Sequence, residues 1–185
     1  MKIIPIHKTD RKLIRKVQAR QVVAQKQLFE KFSPRMLSVC RQYVPDLQRA
    51  EDVMMQAFVK VFDAIQSFDN RRPLQPWIKR IMINEAISFL RKEKSFEVEN
   101  LNPELLEASI ETEEDTTGFD AIQYYIDQLP EGYRVVFVLY VVEGYKHKEI
   151  AELLKISEGT SKSQLHKART LLKQKILIYH KANHE

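Results

Sequence analysis

The sequence predicts an all-α protein made of two small helical domains, an N-terminal helix bundle and a C-terminal helix-turn-helix domain, joined by a flexible acidic linker. Three observations carry that expectation. Apolar residues recur at three- and four-residue spacing through residues 25–95 and again through 121–179. The first 95 residues show no strand alternation. Charge is blocked along the chain: residues 1–95 hold 20 Lys or Arg against 9 Asp or Glu, residues 96–120 hold none against 9, and residues 121–185 hold 10 against 7.

Residues 1–24 read as an N-terminal extension, whose apolar patch in MKIIPIHKTDRKLIRK is far too short for the core of a signal peptide. Three apolar stripes follow. Leu28, Phe29, Phe32, Met36, Leu37, Cys40, Tyr43 and Val44 make the first; Val53, Ala57, Val61 and Ile65, with Phe58 and Phe62 alongside, make the second; Trp77, Ile78, Ile81, Ile83, Ala86, Ile87 and Leu90 make the third. Three long helices burying these stripes form a bundle over residues 25–95. Between the second and third lies SFDNRRPLQP, where two prolines cannot continue a helix and Asp69, Asn70 and Arg71 place polar and cationic groups at one end of the bundle. Trp77 falls in register with Leu74 and Ile81, which predicts core packing rather than base stacking.

Residues 96–120, FEVENLNPELLEASIETEEDTTGFD, have weak periodicity and read as a linker with at most a transient helical turn around Pro103–Ala108. Fully extended, it reaches roughly 80 Å at about 3.3 Å per residue.

The helix-turn-helix domain covers residues 121–179, followed by a tail at 180–185. In KHKEIAELLKISEGTSKSQLHKAR, Ile150, Ala151, Leu153 and Leu154 form one stripe, with Ile156 closing it. The helix ends near Lys155, and Ser157, Glu158 and Gly159 break the pattern. A second helix runs from about Glu158 to Tyr179, with Ser161, Leu165, Ala168, Leu172 and Ile176 on its buried face. Its opposite face carries Thr160, Lys162, Ser163, His166, Lys167 and Thr170, groups able to donate hydrogen bonds to phosphates and base edges. No acid follows Glu158 in the exposed first turns, so phosphates meet no repulsive neighbour there. This is the pattern of a DNA-reading helix.

Several function classes are excluded. The 185 residues, 44% of them hydrophobic, can build packed cores. The single cysteine, Cys40, cannot close an internal disulfide, which fits a reduced cytoplasmic setting with a buried thiol. No apolar run is long enough to cross a membrane, so no membrane insertion is expected. His7, His147, His166, His180 and His184 include no carboxylate-backed pair at metal spacing, and four glycines make no phosphate loop. No enzyme chemistry, cofactor, metal or small-molecule substrate is expected. A regulator with an N-terminal sensory domain would need the alternating strands that the first half lacks.

RAEDVMMQAFVKVFDAI, FDNRRPLQPWIKRIMINEAISFLRK and IDQLPEGYRVVFVLYVVEGYKHKEIAELLKISEGTSKSQLHKAR resemble regions 2 and 4 of an extracytoplasmic-function (ECF) sigma factor of bacterial RNA polymerase. The resemblance covers about residues 25–95 and 121–175. It implies a protein that binds core polymerase and directs it to promoters, melting the minus-ten element with region 2 and reading the minus-thirty-five element with region 4. By resemblance, Asp52, Met55, Gln56 and Val59 face the clamp helices of the largest polymerase subunit. Asp69, Asn70 and Arg71 lie in the loop that captures a flipped minus-ten base, with Asn84 near that pocket and Arg80, Arg91 and Lys92 on phosphates. Gly159, Thr160, Lys162, Ser163, His166 and Lys167 face the groove, with Gln164 and Arg169 near the DNA backbone. The helices around Val135–Val142 hold the core of region 4, which also grips the flap of the second-largest subunit. An anti-sigma factor is a typical partner.

Departures from the family pattern lie at Lys162, Gln164 and Lys167, where arginine is common and lysine lacks the planar fork that engages guanine. Ser161 stands for a common valine, expected to cost about 1 kcal/mol of packing, and Ser88 for a frequent aspartate before Arg91.

Overall fold

The computed structural model describes residues 8–93 and 118–182. The expected linker, with its turn around Pro103–Ala108, lies outside the described residues except at its last positions. The chain divides into two compact units, Met1–Leu90 and Arg91–Glu185.

Among the described residues the first unit holds four α-helices. Helix α1 (Lys8–Gln18) occupies much of the expected N-terminal extension and packs into the bundle. Its charges hide a short apolar stripe, Ile14 and Val17, both fully buried. The Gln18 amide adds a polar anchor by donating to Ile65 O at 2.9 Å and Phe68 O at 3.2 Å. Helix α2 (Val22–Arg41) buries Ala24, Leu28, Phe32, Met36, Val39 and Cys40 and tolerates Pro34 within it. Burial, with the Glu85 carboxylate nearby, pushes the Cys40 thiol pKa up to about 12.

Helix α3 (Leu47–Ala64) starts at Asp46, whose side chain accepts from Arg49 N at 2.8 Å and satisfies an otherwise orphan donor. It buries Ala50, Val53, Met54, Ala57, Phe58 and Val61, then tightens into a single 3-10 turn, Ile65–Ser67. Helix α4 (Leu74–Lys92) buries Leu74, Ile78, Met82, Ile83, Ala86, Ile87 and Leu90. Trp77 and Ile81, expected in that stripe, are half-buried; the Trp77 ring sits 4.7 Å from Phe68. Glu85 is the charged residue on the buried face of α4, and Lys60 of α3 reaches it as a salt bridge.

The second unit packs α5 (Gly118–Asp127), α6 (Glu131–Phe137) and α7 (His147–Leu154) against α8 (Glu158–Ala182). Leu129, Ala168 and Leu172 form a buried cluster flanked by Tyr125, Ile126, Tyr133, Phe137 and Leu171. Helix α6 runs on into a wider π turn, Val138–Val142, closed by Glu143 N donating to Val138 O at 3.0 Å. That turn corrects the expected core stretch Val135–Val142. Val135, Val136, Val138 and Leu139 are buried, but the extra residue per turn rotates Val141 and Val142 outward, to 48% and 49% exposure.

Candidate nucleic-acid interface

The turn between α7 and α8 sets where the reading helix begins. Lys155 ends α7 in the left-handed region at φ 57°, a conformation costing a non-glycine residue roughly 1–2 kcal/mol. Gly159, expected to make the turn, lies inside the first turn of α8 instead. Ser157 supplies the helix start: its hydroxyl accepts from Thr160 N at 2.9 Å. At the other end of the motif, Lys146 N donates to the Glu149 carboxylate at 2.7 Å.

Gly159, Lys162, Ser163, His166, Lys167, Arg169 and Thr170 are exposed along α8, and Thr160 is half-buried. Several of these groups have internal partners. Lys162 pairs with Glu158 at 2.7 Å, and its hydrogen bond and charge hold the Glu158 carboxyl below its usual range. Ser163 donates to Thr160 O at 3.0 Å and Thr170 to His166 O at 3.1 Å. The Lys167 ammonium lies 5.8 Å from the centre of the Tyr133 ring and the Arg169 guanidinium 5.6 Å from that of Tyr140, so both charged ends stand over aromatic faces.

Gln164 does not join them. It is only 6% exposed, turned against α6, where a side chain on Gly132 would come within 3.0 Å of its amide nitrogen. The absence of a Cβ at Gly132 admits the glutamine, so Gln164 is packed inside the unit rather than on the exposed side where it was expected. Its buried Oε1 has no hydrogen-bond partner among the described residues.

Ser161 is buried as expected, yet it does more than replace a methyl group. Its hydroxyl lies 2.9 Å from His147 Nδ1, and His147 stacks on Tyr140 at 4.6 Å. The pair ties the start of α7 to α8 across the turn. Arg134 braces the unit from beneath, donating to Asp127 O at 3.2 Å and Leu129 O at 3.0 Å. Burial lowers its guanidinium pKa, opposed by Glu131 and Asp127.

In the first unit, Asp69 closes the loop after the 3-10 turn: its carboxylate accepts from Arg71 N and its carbonyl from Arg72 N, each at 3.0 Å. Asn70 is half-buried and Arg71 exposed. On α4, Arg80, Asn84 and Arg91 are exposed and lie within about 40° of one another at 100° per residue, while Lys92, also exposed, stands roughly 80–120° around the helix from them. Asp52, Met55, Gln56 and Val59 share the exposed side of α3, with Met55 51% and Val59 61% exposed. Two apolar side chains therefore stand in water there beside a carboxylate and an amide. Among the described residues no group of three or more His, Cys, Asp or Glu could hold a metal.

The Sigma-70 region 2 family matches residues 28–96, and the Sigma-70, region 4 family matches residues 119–172. The RNA polymerase sigma-H factor of Pseudomonas aeruginosa is 30% identical over 173 residues, covering 86% of this chain and 90% of the relative. The ECF RNA polymerase sigma factor SigW of Bacillus subtilis is 27% identical over 158 residues, covering 78% and 84%. The chain belongs to the ECF sigma factors. Like other ECF sigma factors it binds core RNA polymerase and directs it to promoters. Its fold is similar to that of the sigma factor RpoE of Bartonella quintana, solved in complex with the anti-sigma factor NepR, with a TM-score of 0.51 at 19% identity over 83% of this chain and 96% of that one. No helix among the described residues is long and apolar enough to cross a membrane.

Proposed function

We propose that the chain divides its work as follows: residues 25–95 dock on polymerase and open the minus-ten element, residues 96–120 tether, and residues 121–179 read the minus-thirty-five element as duplex. On α3, Asp52, Met55, Gln56 and Val59 contact the clamp helices of the largest subunit. Asp69, Asn70 and Arg71 form the mouth that takes a flipped base, since an amide offers both a donor and an acceptor to a pairing edge. Asn84 lines that mouth, while Arg80, Arg91 and Lys92 hold the flanking phosphates. On α8, Gly159 lets the backbone approach closely, Thr160, Lys162, Ser163, His166 and Lys167 enter the major groove, and Arg169 holds the DNA backbone. The second unit also grips the flap of the second-largest subunit. An anti-sigma factor that covers these faces silences the protein, which works in the cytoplasm beside its polymerase and acts by binding rather than by catalysis.

The observation that carries the assignment is the exposed side of α8, where cations and short donors stand opposite a face buried on the unit's own core. The test is Lys162→Ala with Lys167→Ala in holoenzyme. Loss of two phosphate or base-edge contacts lowers the slope of log affinity against log salt by about two. An unchanged slope on promoter DNA overturns the groove assignment.

A further inference from the structure

Helix α1 lies outside the region 2 family match, which begins at residue 28. One side of it is committed to the bundle through Ile14, Val17 and Gln18. The other side carries Arg11, Lys12, Arg15 and Lys16, all exposed, and with Ala19 and Gln21 these line a shallow open concavity of about 540 Å³. Arg11 and Arg15, like Lys12 and Lys16, stand four residues apart, about 6 Å along the axis, so the cations form two parallel rows. Among the described residues none of the four is held by an ion pair. The concavity has no aromatic lining and Ala19 is its one apolar member, unlike the core of a protein interface, where aromatics are enriched and lysine is depleted. Unpaired cations in rows fit a polyanion.

The position of α1 narrows which polyanion. Gln18 holds the carbonyls of Ile65 and Phe68, and Phe68 immediately precedes Asp69, Asn70 and Arg71. The helix therefore forms part of the base of the loop proposed above to take a flipped base. We propose that the cationic concavity of α1 binds the sugar-phosphate backbone of the single strand adjoining that captured base, so that the strand's path extends beyond the region 2 family match. The inference rests on the base-capture reading of the loop. Its contacts are phosphate contacts, so they add affinity and salt dependence without sequence preference.

The test compares two non-template single strands on holoenzyme made with the full chain: one limited to the minus-ten element, one extended on both sides. The extended strand shows a salt slope steeper by about two to three, as about four single-strand phosphates require at roughly 0.7 each. Arg11→Gln, Lys12→Gln, Arg15→Gln and Lys16→Gln together remove that difference and leave binding of the short strand unchanged. Arg11→Lys with Arg15→Lys, which keeps the charge, retains the difference. A steeper slope that survives the fourfold change overturns the proposal. So does a loss of assembly with core polymerase, which would mark a protein-facing surface. Sequence-specific capture of the short strand by both proteins supports the loop reading separately; its absence overturns base capture whatever α1 does.

Discussion

Cys40 illustrates how position governs the chemistry of a single residue. With its thiol pushed up to about 12 from 9.0 by burial and by Glu85, the folded protein keeps the proton where an unfolded chain gives it up. Between those values the native state binds more protons than the unfolded one, so this group's contribution to stability is complete below about pH 9 and falls as pH rises toward 12. Thiol-alkylating reagent at pH 8 is expected to leave Cys40 intact in the native protein and to modify it promptly in denaturant; rapid native labelling would contradict this. Burial of Cys40 was readable from its neighbours Met36, Leu37, Val39 and Val44. Gln164 was not readable. The family resemblance put it near the DNA backbone, and its inward turn depends on a missing Cβ at Gly132, more than thirty positions away. Ser161 was placed correctly on the buried stripe, but its partner His147 belongs to another helix, so the expected packing loss overlooked a hydrogen bond.

At the scale of the element, the beginning of α8 holds two opposing demands. A carboxylate at Glu158 suits a helix N-terminus, yet it occupies Lys162 and stands beside the face proposed to meet phosphates. Glu158→Gln is expected to lower the melting temperature of the free protein slightly and to tighten promoter binding several-fold at moderate salt, an electrostatic gain that fades as salt rises. Weaker binding at every salt concentration would show that the pair with Lys162 orders the reading face. The helices themselves were largely legible because apolar spacing is a local property. The stripes of α2, α3, α4 and α8 appear at most of the expected residues, with Phe29, Leu37, Phe62, Trp77, Ile81 and Ile176 only half-buried at their margins. Helix α1 was missed because two apolar residues among many cations give a faint stripe, and the Gln18 anchors are nearly fifty residues distant. The π turn was missed because one extra residue per turn leaves no mark on composition, and only the outward rotation of Val141 and Val142 betrays it.

At the scale of the whole molecule, two units that each make modest DNA contacts gain strength when both are mounted on one polymerase, because the second contact becomes intramolecular. The free chain is expected to bind promoter DNA weakly. Holoenzyme on a promoter with both elements should bind roughly 10²- to 10⁴-fold more tightly than on a promoter keeping only one, as read by competition at fixed salt. Equal affinity for the two templates would mean that the units act independently. The two-domain layout was legible from the charge blocks, since an acidic stretch between basic ones is visible without any structure.

Helix α8 is one uninterrupted rod of 25 residues, with the end proposed to face the groove and its hydrophobic anchorage on the same piece. Aim is therefore slaved to seating. A tilt of about 5° pivoting on Ala168 would swing Gly159, nine residues and about 13 Å away along the axis, by roughly 1 Å. Displacements of that size are enough to break a base-edge hydrogen bond. Side chains that never meet DNA, Leu129 and Leu172 among them, thus act as the gunsight of the reading end.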